Sequence, residues 1–132
     1  MNKFCILAAG RGTRNNHIVG LHKALLPLEN KPVISHIIDK LNKSVEIVIA
    51  VGYKSEQIKT YMDLVHSDKN ITYIDVDNFD GIGSGPGYSL LCCKEELQES
   101  FVFTSVDTLV GEDIDLMSID ENWLGVSPVE KE

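Results

Sequence analysis

Apolar residues in this chain fall into two alternating patterns. Near-continuous runs occur at Asn2–Ala9 (Phe4, Cys5, Ile6 and Leu7 at its centre), Val45–Val51, Ile71–Val76 and Phe101–Val106. Unbroken runs of this length mark strands buried on both faces. Between them the apolar positions are spaced as on a helix: Val33, Ile34, Ile37, Ile38 and Leu41, then Ile58, Tyr61, Met62 and Val65 within Ser55–Val65, then Leu90, Leu91 and Leu97. Pro32 suits the first position of the first helix, and Ser84 or Gly85 can cap the third, with Pro86 in its first turn. Residues 10–31 form a long connection without clear periodicity, of the kind that inside a compact domain is usually functional or disordered. Asp77–Gly83 reads as a loop, and after Phe101–Val106 a short acidic segment of about one helical turn leads to a last strand at Trp123–Val129.

Strand and helix alternate throughout, which predicts an α/β fold: a doubly wound, mostly parallel sheet with helices on both faces. Right-handed crossovers place the first strand between the second and the fourth. The topological switch point then lies between strands one and four, and ligands bind there, outside the carboxyl ends. The loop at Gly10–Arg14 and the residue ending strand four, Asp107, should meet at that crevice.

The 132 residues amount to one domain, 1–132, large enough to bury a core without disulfides. No apolar run approaches the roughly 20 residues needed to span a bilayer. Gly10 and Arg11 cut short the N-terminal run before it reaches the length of a signal sequence, so a cytoplasmic protein is expected. Three cysteines (Cys5, Cys92, Cys93) without CxxC spacing read as packing thiols. The net charge of −8 disfavours a nucleic-acid partner. It is unevenly spread: residues 1–43 hold seven Lys/Arg against two Asp/Glu, and the remainder holds five against eighteen. A basic N-terminal third on an acidic chain suggests a local anion site.

That site is best placed at Leu7-Ala8-Ala9-Gly10-Arg11-Gly12-Thr13-Arg14. Glycines leaving a buried strand allow a tight turn and bring backbone N–H groups close to a ligand's phosphates. Arg11 and Arg14 add forked donors, and Lys23, in His22-Lys23-Ala24-Leu25-Leu26-Pro27, can fold back onto the same anion. A dinucleotide fingerprint is excluded, because Asn15 stands at its third glycine and Val51-Gly52 where an acid is required. Walker A is excluded by the missing Gly-Lys-Ser/Thr. Asp107 at a strand end is a candidate Mg²⁺ ligand, since Mg²⁺ takes only one or two carboxylates. Asp75 and Asp77, an Asp-x-Asp pair, are a second candidate farther from the crevice. The histidines His17, His22, His36 and His66 lack metal spacing, and His36 lies off the apolar face of its helix.

These segments, followed by Asn30-Lys31-Pro32-Val33-Ile34, Ile47–Tyr53 and Gly83-Ser84-Gly85, resemble in order the signature of the sugar-phosphate and choline-phosphate nucleotidyltransferases. The resemblance covers nearly the whole chain. It implies a Rossmann-like, GT-A-like fold, truncated relative to the family's full length. It implies that Gly10, Arg11, Gly12 and Thr13 wrap a nucleoside triphosphate, that Arg14 and Lys23 neutralise it, and that main chain at Leu7, Ala8 and Ala9 contacts the base. Asn78, Gly83 and Ser84 correspond to the base-reading segment, and Asp107 to the aspartate holding Mg²⁺. The implied reaction transfers a nucleoside monophosphate from an NTP to a phosphorylated small molecule, releasing pyrophosphate. The His22-Lys23 pair leans toward CTP and the choline-phosphate type, with UTP or dTTP as alternatives. The chain departs from the family at Val106, Leu109 and Gly85-Pro86-Gly87-Tyr88, and it is shorter than family members, whose second half supplies the acceptor pocket. Two other readings stay open: a nucleotide-binding module without catalysis that serves a regulatory or assembly partner, and a doubly wound domain for another phosphorylated ligand. No membrane partner is expected, and an exposed sheet edge could drive homo-oligomers.

Overall fold

The computed structural model describes residues 2–10, 20–106, 108, 115–119 and 121–126. Four strands, β1 (Lys3–Ala8), β4 (Glu46–Val51), β5 (Asn70–Asp75) and β6 (Val102–Ser105), form one sheet in the order β5-β4-β1-β6, all neighbours parallel. β1 lies inside the sheet with β4 and β6 on its two sides, as the crossover argument requires. Two-residue strands β2 (Pro27–Leu28) and β3 (Lys31–Pro32) make a small antiparallel hairpin, whose turn at Glu29 and Asn30 takes positive φ. Helices α1 (Val33–Ile38), α2 (Ser55–Val65) and α3 (Pro86–Cys92) fill the crossovers.

The period-two geometry of the strands divides the core into two layers. Phe4, Ile6 and Ala8 of β1 and Ile47, Ile49 and Val51 of β4 face a layer filled by Ile34, Ile37 and Ile38 of α1 and Ile58 and Met62 of α2. Cys5, Leu7 and Ala9, with Val48 and Ala50, face the other layer, which holds Val76, Cys93, Leu97 and the half-buried Tyr88 and Leu90 of α3. Every residue of β1 is buried, Lys3 included. Lys3 donates from Nζ to the Glu96 carbonyl at 2.6 Å and pairs with Glu46 and Glu99 at 3.4 Å each. On the α1–α2 side, Ser35 Oγ bonds His66 Nε2 at 2.8 Å and the Tyr61 hydroxyl at 2.5 Å, pinning α1 to the end of α2.

Several expectations need correction. Pro32 is the cap before α1, paired in the hairpin, so the helix starts at Val33. The long connection contains that hairpin and a 3₁₀ turn at Lys23–Leu25. Of the two caps the sequence offers for α3, Gly85 is the one used, at φ 135°, a conformation only glycine takes without strain. Leu91 and Val65 are exposed: Leu91 lies on the face of α3 opposite the buried Ser89 and Cys93, and Val65 is the last residue of α2. The strand expected at Trp123–Val129 does not form over Trp123–Val126, where Leu124 and Val126 are exposed; residues 127–129 lie outside the described residues. The acidic segment does form a single turn, Leu116–Ser118, capped by the Asp115 side chain. Among the described residues no helix is long and apolar enough to cross a membrane.

Candidate functional site

Because the strands are parallel, their carboxyl ends gather on one rim: Ala8-Ala9-Gly10 after β1, Gly52-Tyr53-Lys54 after β4, Val76–Phe79 after β5 and Val106 after β6. The backbone ties these exits together. Val106 N–H donates to the Leu7 carbonyl at 3.1 Å, Tyr53 N–H to the Ala9 carbonyl at 3.0 Å, and Val76 N–H to the Val51 carbonyl at 2.8 Å. Leu7, Ala8 and Ala9 are thus held rigidly at the head of the crevice.

At Gly10 the structure brings two expected residues together. A Cβ on Gly10 would sit 3.8 Å from Lys23 Nζ, so the ammonium group hangs directly over the turn leaving β1. Lys23 opens the 3₁₀ turn Lys23–Leu25, and His22 caps that turn, its Nδ1 accepting from Ala24 N–H at 3.0 Å. His22 is 1% exposed. Burial, together with the Lys23 and Lys54 charges and against the opposing pull of the Ala8 carbonyl, drives its pKa down to about 4, so the ring is neutral at physiological pH. The His22 N–H donates to Gln57 Oε1 at 2.8 Å, and Gln57 Nε2 donates to the Gly20 carbonyl at 2.5 Å.

On the β4–β5 side an aromatic row lines the rim. Tyr53 lies 6.3 Å from the His22 ring and 6.2 Å from Phe79, and Lys54 Nζ sits 5.4 Å from the centre of the Tyr53 ring. Lys54 takes φ 51°, a left-handed conformation that is uncommon for a side-chain-bearing residue. Gly52 leaves room for Phe79, because a Cβ there would lie 2.9 Å from Phe79 Cβ and Cδ1. Beyond Phe79, the loop is folded on itself. Asn78 Nδ2 donates to the Ile82 carbonyl at 3.1 Å, and Ser84 Oγ donates to the Gly81 carbonyl at 2.6 Å. Gly81 and Gly83 take φ 89° and 82°. The tip residue, Ile82, is fully exposed at 101%. Asn78, Gly83 and Ser84 therefore sit in one loop, joined to the Gly10 corner through Phe79, Tyr53 and Ala9.

The remaining expected residues, Arg11, Gly12, Thr13, Arg14 and Asp107, lie outside the described residues. Asp75 and Asp77, the second metal candidates, are engaged elsewhere. Asp75 pairs with Lys59 at 3.5 Å, and Asp77 accepts from the Tyr88 hydroxyl at 2.5 Å. That bond holds the Asp77 carboxyl below the usual range and pushes Tyr88 up to about 12, helped by Cys92. Among the described residues no group of three His, Cys, Asp or Glu side chains is placed to hold a metal. All three cysteines are free, Cys5 and Cys93 buried and Cys92 half-buried, in keeping with packing thiols.

Residues 4–115 match the model of the MobA-like NTP transferase domain. The chain belongs to this family. Among proteins similar to this NTP transferase domain is the bifunctional protein GlmU of Methanococcus maripaludis, 31% identical over 127 residues, which are 95% of this chain and 29% of that protein. The CTP:phosphocholine cytidylyltransferase of Streptococcus pneumoniae is 31% identical, with a TM-score of 0.64 over 80% of this chain and 44% of that one. A UDP-glucose pyrophosphorylase from Acinetobacter baumanii, at 20% identity, shares the fold with a TM-score of 0.66, covering 86% and 48%. The chain thus spans less than half the length of these proteins.

The aromatic row and the His22–Gln57 linkage were not anticipated from the sequence. Tyr53 and Lys54 carried a readable signal, since they directly follow a strand that ends in glycine. Phe79 and Gln57 carried none, because their roles depend on partners 27 and 35 residues away.

Proposed function

We propose that this chain is the nucleotide-binding portion of a cytoplasmic, Mg²⁺-dependent nucleotidyltransferase. It would move a nucleoside monophosphate from an NTP to a phosphorylated small acceptor and release pyrophosphate. The observation that carries the proposal is Lys23 Nζ standing over Gly10 at the carboxyl end of the central strand, within a domain of the NTP transferase family. Elongated anions bind well at such a corner, because a glycine turn offers backbone N–H groups and the ammonium offers charge.

In the proposed reaction a phosphate oxygen of the acceptor attacks the α-phosphorus. A new P–O bond forms, the bond from the α-phosphorus to the bridging oxygen breaks, and pyrophosphate departs with that oxygen. A phosphate monoester has its second pKa near ~6, so the nucleophile is already ionised and needs no strong base. Catalysis is then alignment and charge stabilisation. Lys23, with Arg14 beside it in sequence terms, would carry the developing charge on the β and γ phosphates, and Gly10–Thr13 would wrap them. Asp107 would hold the metal, whose chemistry is to neutralise charge on the α-phosphate. The partners already taken by Asp75 and Asp77 leave Asp107 as the better carboxylate for that role. The base would enter beside Leu7–Ala9, with Asn78, Gly83 and Ser84 at its edge. CTP is the favoured base on the His22-Lys23 pair and the 31% identity to a CTP:phosphocholine cytidylyltransferase, with UTP and dTTP next.

Thermal shift with CTP, UTP, dTTP, GTP and ATP, each with Mg²⁺, tests the binding half. Ligand at a hundredfold above its dissociation constant stabilises by about 2.7 kcal/mol. A response to one pyrimidine triphosphate is expected, and silence toward all five refutes the proposal. A second reading is nucleotide binding without turnover in service of a partner. Pyrophosphate release with choline phosphate and sugar 1-phosphates as acceptors separates the two.

A further inference from the structure

We propose that His22, anchored by Gln57, is a positioning residue that holds Lys23 over the Gly10 turn and thereby makes the site selective for triphosphates over monophosphates. This rests on reading the Gly10–Lys23 corner as the phosphate subsite.

Lys23 begins a three-residue 3₁₀ turn, too short to be stable by itself. The N–H groups at the start of such a turn need acceptors. The usual capping side chains are Ser, Thr, Asp and Asn, short and hydrated. Here an almost fully buried imidazole does the capping, and its backbone N–H is itself taken by Gln57 of α2. Gln57 closes the brace by donating to Gly20. The segment 20–24 is thus stapled to α2 on one side and, through the His22 ring, packed against Tyr53 on the other.

The protonation state follows from this geometry. Nδ1 accepts a hydrogen bond, so it carries no proton, and the proton of the neutral ring is on Nε2. That Nε2–H is buried and has no hydrogen-bond partner among the described residues; the Ala8 carbonyl draws on the ring without completing a bond to it. What the Nδ1 acceptor holds in place is the backbone carrying Lys23. A lysine side chain surrenders about 2 kcal/mol of rotamer freedom when it is fixed on an anion. Fixing its backbone in advance limits the additional ordering needed on binding. The benefit falls on the phosphates that Lys23 reaches and not on the nucleoside.

The test compares affinities for the triphosphate that stabilises the wild-type chain and for the matching nucleoside monophosphate, by calorimetry. His22→Ala should weaken triphosphate binding about fivefold, in line with a lost cap of ~1 kcal/mol, and change monophosphate binding less than about twofold. His22→Asn, which can still accept from Ala24 N–H, should recover most of the loss. In a Lys23→Ala background, His22→Ala should add nothing. Gln57→Ala, at a half-exposed position, should give the same triphosphate-selective loss and serves if His22→Ala fails to fold. Equal losses for both ligands, or full additivity with Lys23→Ala, overturn the positioning role while leaving the phosphate subsite intact. A wild-type chain that binds no triphosphate overturns both.

Discussion

Replacing Gly52 by alanine should destabilise the protein through one identifiable collision. An added Cβ would lie 2.9 Å from Phe79 Cβ and Cδ1 and 3.0 Å from Cγ, closer than such atoms approach in folded proteins. Gly52 has no positive φ, so backbone strain is not the issue. Limiting the freedom of the unfolded chain would by itself favour alanine by about 0.4–1 kcal/mol. Overpacking costs about 1–3 kcal/mol and dominates, because Phe79 is hemmed in by Tyr53 and by the core layer under α3. A net loss of about 1–2 kcal/mol is expected, a drop in Tm of roughly 4–10 °C for a domain of this size. Urea denaturation of a double-mutant cycle isolates the collision. The second substitution must be Phe79→Gly, since Phe79→Ala would leave the offending Cβ in place. In the Phe79→Gly background only the unfolded-state term remains, so Gly52→Ala should stabilise by about 0.4–1 kcal/mol, giving a coupling of about 1–3 kcal/mol. A coupling below about 0.5 kcal/mol, the level of independent sites, would refute the reasoning. The same substitution should weaken nucleotide binding, because Phe79 anchors the loop that holds Asn78, Gly83 and Ser84.

Two further outcomes follow from buried polar groups. Burial lowers the pKa of His66 and takes His22 to about 4, so the folded state prefers both rings neutral while the unfolded chain takes up protons below about pH 6.5. The stability they hold is complete above that pH and is lost as pH falls below it, for His22 down to about 4; the His22 shift from 6.5 to about 4 alone corresponds to roughly 3 kcal/mol. Urea midpoints between pH 7 and 4.5 should fall more steeply for wild type than for His22→Asn, and parallel slopes would contradict the assignment. Ser35→Ala should cost about 1–3 kcal/mol in chemical denaturation by stripping His66 Nε2 and the Tyr61 hydroxyl of a shared partner, and a change under about 0.5 kcal/mol would show that water replaces the serine.

The central strands β1 and β4 were legible because they are buried on both faces; the edge strands β5 and β6, expected to be buried likewise, are only partly covered. Runs such as Phe4–Leu7 and Ile47–Val51 admit no amphipathic alternative, and short alternating elements leave few ways to connect them. The short hairpin at Pro27–Leu28 and Lys31–Pro32 was not legible, since two-residue strands carry no periodicity. The strand expected at Trp123–Val129 failed over Trp123–Val126 for the opposite reason: an apolar run predicts burial only if another layer exists to receive it. In the site, Gly10 and Lys23 could be paired from sequence because a glycine turn and a nearby cation suggest the same anion. His22 was noticed beside Lys23, but its burial and its capping role depend on Gln57 and Tyr53, which only the folded chain brings near.

The central position of β1 has a consequence for how the chain is made. This strand is synthesised before both of its neighbours, residues 46–51 and 102–105. Until roughly a hundred further residues have followed it, one edge of an apolar, almost uncharged segment has no native partner. Such long-range pairing slows folding, and it leaves an aggregation-prone stretch waiting in the nascent polypeptide. Production at reduced temperature or with added chaperone would therefore protect the step at which the last strand closes over the first.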